Sequence, residues 1–311
     1  MQAPPGLTGW RHLRLAAGVG AMLLGLAGSA LAQGGMGLGL LGDGMDDAAT
    51  ATTPQGVRPL LDVPYGSDRR QRMDIYLPPQ PRGAPVLVMV HGGAWMVGDK
   101  RMAPVVDNKV AHWVQARGWV FVSVNYRMWP QADPVAQARD VAQALAAVQA
   151  QAAGWGADPA RLLLMGHSAG AHLVALLGAN PERARSWGLA PWAGTVALDS
   201  AAIDLLPLMQ RRHARFYDRV FGADPAYWRA ASPTDTLAPG APPLLLVCSP
   251  QRSDGSCQQS QAFADRAHAV GVRAELLPQD LNHRGVNEQL GLEGSAYTAA
   301  VDTFAASLGL R

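Results

Sequence analysis

Arg161-Leu162-Leu163-Leu164-Met165-Gly166-His167-Ser168-Ala169-Gly170-Ala171-His172-Leu173-Val174-Ala175-Leu176-Leu177 changes character in its middle. The apolar run Arg161–Met165 has the length and unalternating pattern of a strand buried on both faces. The run from Ala171 onward is apolar and suits a helix. Between them, Gly166-His167-Ser168-Ala169-Gly170 sets a serine in a tight strand-to-helix turn. Such a turn is strained and passes close to neighbouring chain, so small residues must flank the serine. It lifts the Ser168 hydroxyl out of the sheet and over a helix amino terminus, whose free N–H groups favour developing negative charge.

Outward from this turn, strands and helices alternate. Strand-like runs occur at Asp74–Leu77, Val86–Val90, Trp119–Val124, Arg161–Met165, Gly194–Leu198, Leu244–Cys248 and Arg273–Leu277. Helical spacing places Val135, Ala138, Val141, Ala142, Leu145 and Val148 along one stripe, and Tyr297, Val301, Phe304 and Leu308 along another. The expectation is one α/β domain over residues 57–311, with a mostly parallel central sheet and helices on both faces. Residues 201–236 are long for a crossover and read as a helical insertion over the strand ends, where open α/β sheets bind ligands.

A second signal directly follows the strand Val86–Val90. In His91-Gly92-Gly93-Ala94-Trp95 two glycines let backbone amides turn toward an oxyanion. Gly92, Gly93 and Ala169 are therefore the candidate oxyanion donors. A serine nucleophile needs a base, and the base an orienting acid. Of the 8 histidines, His283 alone follows the last strand-like run, in Leu281-Asn282-His283-Arg284-Gly285. The chain order serine, acid, histidine then calls for an acid between Ser168 and His283. Asp254 fits, in the loop leaving Leu244–Cys248; Asp199, Asp204, Asp224, Asp235, Asp265 and Asp280 compete with it. Trp95, Met96 and Trp129 lie just after strands near the site and are the candidate substrate-facing residues, although buried tryptophan is more often core.

HGGAW, then Asn125-Tyr126-Arg127, then GADPARLLLMGHSAGAHL, then LNH before a last helix, together resemble the α/β-hydrolase fold. More narrowly the chain is similar to carboxylesterases of the hormone-sensitive-lipase-like and bacterial feruloyl-esterase-like (BD-FAE) group, over roughly Leu60 to the end. That resemblance implies Ser168 as nucleophile, His283 as base, and Gly92, Gly93 and Ala169 as oxyanion donors, acting on a small ester without a cofactor. The pattern departs at one point. Relatives place the acid nearer the strand, where this chain has Arg252, so Asp254 must reach from a longer loop. Cys248 and Cys257 bracket that loop, and a disulfide between them would restrict it in an oxidising compartment. The strings HGG-x-W and GHSAGAHL also resemble arylformamidases, an amide-hydrolysing alternative; a catalytically silent binding module is the third.

The composition agrees with a folded α/β domain and excludes other classes. Of 311 residues, 49% are hydrophobic and 16% charged, against disorder, and two cysteines cannot make a disulfide-rich scaffold. A net charge of +2 with no long basic run argues against nucleic acid as a partner. No histidine, cysteine and carboxylate spacing suggests a metal site. At the amino end, Arg11 and Arg14 precede the apolar stretch Leu15–Ala30, and Ala30-Leu31-Ala32 offers a cleavage site. Residues 1–32 thus read as a secretory signal, leaving no stable membrane anchor after cleavage, and residues 33–56 as a flexible Gly-rich leader. The expectation is export to the periplasm or beyond. Residues 1–32 hold two arginines and no acid, so the excess positive charge belongs to the signal.

Overall fold

The computed structural model describes residues 49–311; the expected signal segment and most of the leader lie outside them. Eight strands form one sheet: β1 (Arg58–Pro64), β2 (Arg72–Leu77), β3 (Ala84–Val90), β4 (Val120–Val124), β5 (Ala157–His167), β6 (Gly194–Leu198), β7 (Leu244–Cys248) and β8 (Ala274–Pro278). Their order is β1-β2-β4-β3-β5-β6-β7-β8. The pairs β1/β2 and β2/β4 are antiparallel, and every pairing from β4 to β8 is parallel. All seven expected strands are present. The eighth, β1, escapes sequence reading because its RPLLDVP alternates poorly, carries two prolines and lies half-exposed at the sheet edge.

The parallel strands are apolar throughout because both faces are covered. Val86, Val88 and Val90 of β3 enter one core, and Leu87 and Met89 enter the other. The first core is closed by α2 (Pro134–Gln151), α3 (Ala169–Ala179) and α9 (Ser256–Ala269), and the second by α1 (Ala103–Lys109), a π-helical turn Val110–Ala116 and α11 (Ala296–Ser307). Local chemistry starts these helices. Asp133 caps α2 by accepting from the Ala136 amide with Pro134 in the first turn, and Ser295 caps α11. The short α4 (Pro181–Ser186) follows α3, and α5 (Leu205–Gln210), α6 (Arg215–Phe221), α7 (Pro225–Ala231) and α8 (Pro233–Thr236) build the insertion expected between β6 and β7. A further short helix, α10 (His283–Glu288), lies between β8 and α11.

The folded chain begins earlier than Val57. Ala49 and Ala51 already exchange backbone hydrogen bonds with Ala103 and Arg101, and the Thr52 amide donates to Asp107. The end of the expected leader is thus tied to the segment that opens α1. No helix among the described residues is long and apolar enough to cross a membrane.

Candidate active site

Ser168 closes the turn between β5 and α3 with φ +57° and ψ −118°, a conformation costly for a residue with a side chain. The surroundings enforce it. The Ser168 amide donates to Leu198 O at 2.9 Å, fastening the turn to the end of β6. A Cβ at Gly170 would come within 2.2 Å of Val90 O, so only glycine lets α3 start against β3. Ser168 Oγ consequently stands clear of the sheet, 3.0 Å from His283 Nε2.

His283 is the first residue of α10, one position later than its cap Asn282, which accepts from the Gly285 amide. The buried His167 ring lies 4.6 Å from the His283 ring and, through Nε2, donates to the His283 carbonyl at 2.9 Å. Burial, reinforced by the adjacent His283, holds the His167 pKa well below its usual value, so it remains a neutral prop. The other face of His283 meets an acid: Nδ1 lies 2.6 Å from Asp199 Oδ2.

That acid differs from the expected Asp254. Asp199 is the first residue beyond β6, with φ +58°, a left-handed conformation that aspartate tolerates better than most residues. Its carboxylate is fully buried and fully partnered. Oδ1 accepts from the Ser249 amide at 3.0 Å and from Ser256 Oγ at 2.7 Å, and Oδ2 accepts from Arg252 Nη1 at 3.0 Å as well as from His283. Burial alone would raise its pKa. The His283 hydrogen bond, the charge of Arg252 and the Ser249 amide outweigh that and hold the carboxyl far below the usual range. Asp254 fails for a physical reason: Arg252 engages both its oxygens, through Nε at 2.9 Å and through Nη2, and Arg211 holds its carbonyl. Asp199 was one of the competing acids in the sequence. The signal that favours it is its place at the very end of an unalternating apolar strand.

The expected oxyanion segment, His91–Trp95, lies against the serine. A Cβ at Gly92 would meet Ser168 Cβ at 2.9 Å and His167 O at 3.0 Å, so the Gly92 backbone abuts the serine directly. Gly93, Ala94 and Trp95 all have positive φ, which folds the segment into a tight loop. Among the described residues, neither the Gly92 nor the Gly93 amide donates to another group, and Ala169 opens α3 beside them. Backbone amides left free beside a serine are the chemistry that an oxyanion on an atom bonded to Oγ would require.

Trp95 is not the substrate-facing residue expected. It is 3% exposed, donates through Nε1 to His172 Nδ1 at 3.1 Å, and sits among Phe216, Tyr217 and Phe221 of α6. His172 in turn contacts Ala231 O at the end of α7, and burial lowers its pKa to about 4. Trp95 therefore fastens the oxyanion loop to the insertion. Met96 and Trp129 stay partly buried at the edge of the same core, and Arg219 of α6 lies 6.0 Å over the Trp129 ring. Cys248 at the end of β7 and Cys257 in the first turn of α9 are joined by a disulfide. The loop it closes contains Ser249, Arg252, Asp254 and Ser256. No cluster of metal-ligating side chains occurs among the described residues.

Comparison with known proteins agrees with this architecture. The chain is 30% identical to the isoprenylcysteine alpha-carbonyl methylesterase ICME of Arabidopsis thaliana, over 69% of this chain and 54% of that one. It is 32% identical to the esterase LipQ of Mycobacterium tuberculosis, over 68% of this chain and 53% of that one. The chain thus spans about half the length of these curated relatives. A truncated carbohydrate esterase from gut microbiota superposes with a TM-score of 0.71 at 18% identity, covering 85% of this chain and 100% of the other. Esterase B of Lactobacillus rhamnosis superposes with a TM-score of 0.65 at 22% identity, covering 83% and 88%. At those identities the superpositions establish the α/β-hydrolase-like fold alone. A family model, that of BD-FAE, matches residues 73–266, which include β2 through most of α9. The chain belongs to the BD-FAE family.

Proposed function

We propose that this protein is an exported serine carboxylesterase that hydrolyses short or bulky carboxylic esters through an acyl-enzyme. The observation that carries the reading is the continuous chain Ser168 Oγ, His283 Nε2, His283 Nδ1, Asp199 Oδ2, with contacts of 3.0 and 2.6 Å. His283 takes the proton of Ser168 as Oγ attacks the ester carbonyl. The amides of Gly92, Gly93 and Ala169 receive the oxyanion. Asp199 keeps His283 in the Nδ1–H tautomer and balances the imidazolium. The imidazolium protonates the departing alcohol, and water then repeats the cycle on the acyl-enzyme. The esterase relatives support this activity, and the small insertion of short helices supports compact rather than long-chain substrates. Export rests on the amino-terminal pattern of residues 1–32, and the Cys248–Cys257 disulfide fits an oxidising compartment.

The test is hydrolysis of nitrophenyl esters of increasing acyl length by wild type, Ser168→Ala and Asp199→Asn. Ser168→Ala should lose roughly 10⁴-fold or more of kcat, and Asp199→Asn about 10³- to 10⁴-fold. Ester hydrolysis that survives in Ser168→Ala, or a preference for long acyl chains, contradicts the reading.

A further inference from the structure

The loop that was expected to supply the acid supplies a cation instead. Arg252 Nη1 donates to Asp199 O at 2.9 Å and to Asp199 Oδ2 at 3.0 Å, which uses both of its hydrogens. Nη1 also lies 2.7 Å from His283 Nδ1. With Nδ1–H pointing at the same Oδ2, neither nitrogen can accept from the other. Two donors therefore crowd one carboxylate oxygen, and one of them carries a permanent positive charge. A guanidinium so close opposes the imidazolium that ester hydrolysis must form. The second carboxylate, Asp254, faces the far side of the guanidinium through Nε and Nη2. The group Asp199, Arg252 and Asp254 then carries one net negative charge, which balances the imidazolium. Without Asp254 the group would be neutral.

We propose that Arg252 and Asp254 are paired positioning residues, the guanidinium fixing Asp199 and the Asp254 carboxylate restoring the negative charge that Arg252 cancels. This rests on the triad of the preceding section. Arg252 is suited to the task because its planar fork reaches four acceptor atoms at once, which an ammonium with three hydrogens cannot do. Its charge is secure, since the two carboxylates outweigh burial and raise its pKa above the ordinary arginine value.

Other charged and titratable groups surround the pair and His283; the exposed Arg211 guanidinium donates to the Asp254 backbone carbonyl and is common to every variant. His167, at the end of β5, is buried and stays neutral. On α10 itself, Arg284 and Glu288 pair with each other at 2.7 Å. Tyr217 of α6, beside Arg252 and Asp254, is pushed to higher pKa by burial and remains neutral. Lys109 of α1, which donates to Asn287 O at the far end of α10, is lowered by burial to about 7. It makes no contact with Arg252 or Asp254 and is present in every variant.

The experiment measures kcat/KM against pH for wild type, Arg252→Gln, Arg252→Lys and Asp254→Asn, with melting temperatures to confirm folding. Removing the cation should move the acid limb to higher pH, and removing Asp254 should move it to lower pH, each by about half a unit or more. Arg252→Lys should keep the acid limb near wild type while kcat falls severalfold, because charge survives and geometry does not. A merely structural pair gives no opposed shifts. Acid limbs that move together, or coincide with wild type, overturn the proposal. If Arg252→Gln does not fold, the sign of the Asp254→Asn shift decides alone. Ser168→Ala is the control for the underlying reading: activity surviving there dismisses the triad, whereas a dead Ser168→Ala with unshifted limbs dismisses only the pair.

Discussion

At the scale of single residues, chemistry here depends on backbone conformations that the chain would not adopt alone. Ser168 and Asp199, each the first residue past a strand, β5 and the neighbouring β6, both have positive φ. Holding each costs on the order of 1–3 kcal/mol. The same edge of the sheet provides the restraint, since Leu198 O takes the Ser168 amide and Val247 O takes the Asp199 amide. Gly92 is the counterpart across the gap. A methyl there would need to share space with Ser168 Cβ at 2.9 Å, so Gly92→Ala should displace the oxyanion loop from the serine. We expect a kcat loss of about 10²-fold, comparable to losing one oxyanion donor, with a melting temperature near wild type. Steady-state kinetics beside thermal melting checks it; an unchanged kcat would mean that the loop gives way freely. The serine and glycines were legible in sequence because their motifs are dictated by sterics, and the histidine because it alone follows the last strand-like run. The acid was not, because any of several aspartates can follow a strand and only the packing selects one.

At the scale of elements, the segment from β7 to α9 acts as a cradle. Its amide at Ser249, its Ser256 hydroxyl and its Arg252 guanidinium are three of the four groups that bond the Asp199 carboxylate, and Ser249 Oγ also donates to Leu281 O just ahead of His283. The disulfide from Cys248 to Cys257 closes this loop at its two ends. Closing so short a loop restricts the unfolded chain by roughly 2–3 kcal/mol. Replacing both cysteines by serine should therefore lower the melting temperature, and should also lower kcat severalfold because Asp199 loses a rigid cradle. Reduction of the wild type with a thiol should reproduce the kcat loss. A double serine variant with full kcat would reduce the bridge to a stability element. The oxyanion loop has its own brace, the Trp95 ring clamped between His172 and α6, which sequence reading assigned to substrate. The motif places Trp95 after the glycines, but its direction depends on an insertion that packs from elsewhere in the chain.

At the scale of the whole molecule, the parallel sheet buried on both faces brings the ends of β3, β5, β6, β7 and β8 to one rim, and the site is assembled there from segments far apart in sequence. The folded unit starts at least as early as Ala49. If residues 1–32 are an export signal, chain recovered from the periplasm of an expressing bacterium should begin at Gln33 by intact mass, with the disulfide formed. Recovery of uncleaved Met1 would exclude that processing. What the sequence determined by itself was whatever local sterics and periodicity dictate: seven of eight strands, the alternating α/β order, the strand-to-helix turn at Ser168, the glycine pair after β3 and the histidine after the last strand. The tertiary structure alone decided which carboxylate meets that histidine, because partner choice is a competition. Arg252 engages both oxygens of Asp254, while the strained turn after β6 aims Asp199 at the Nδ1 of His283.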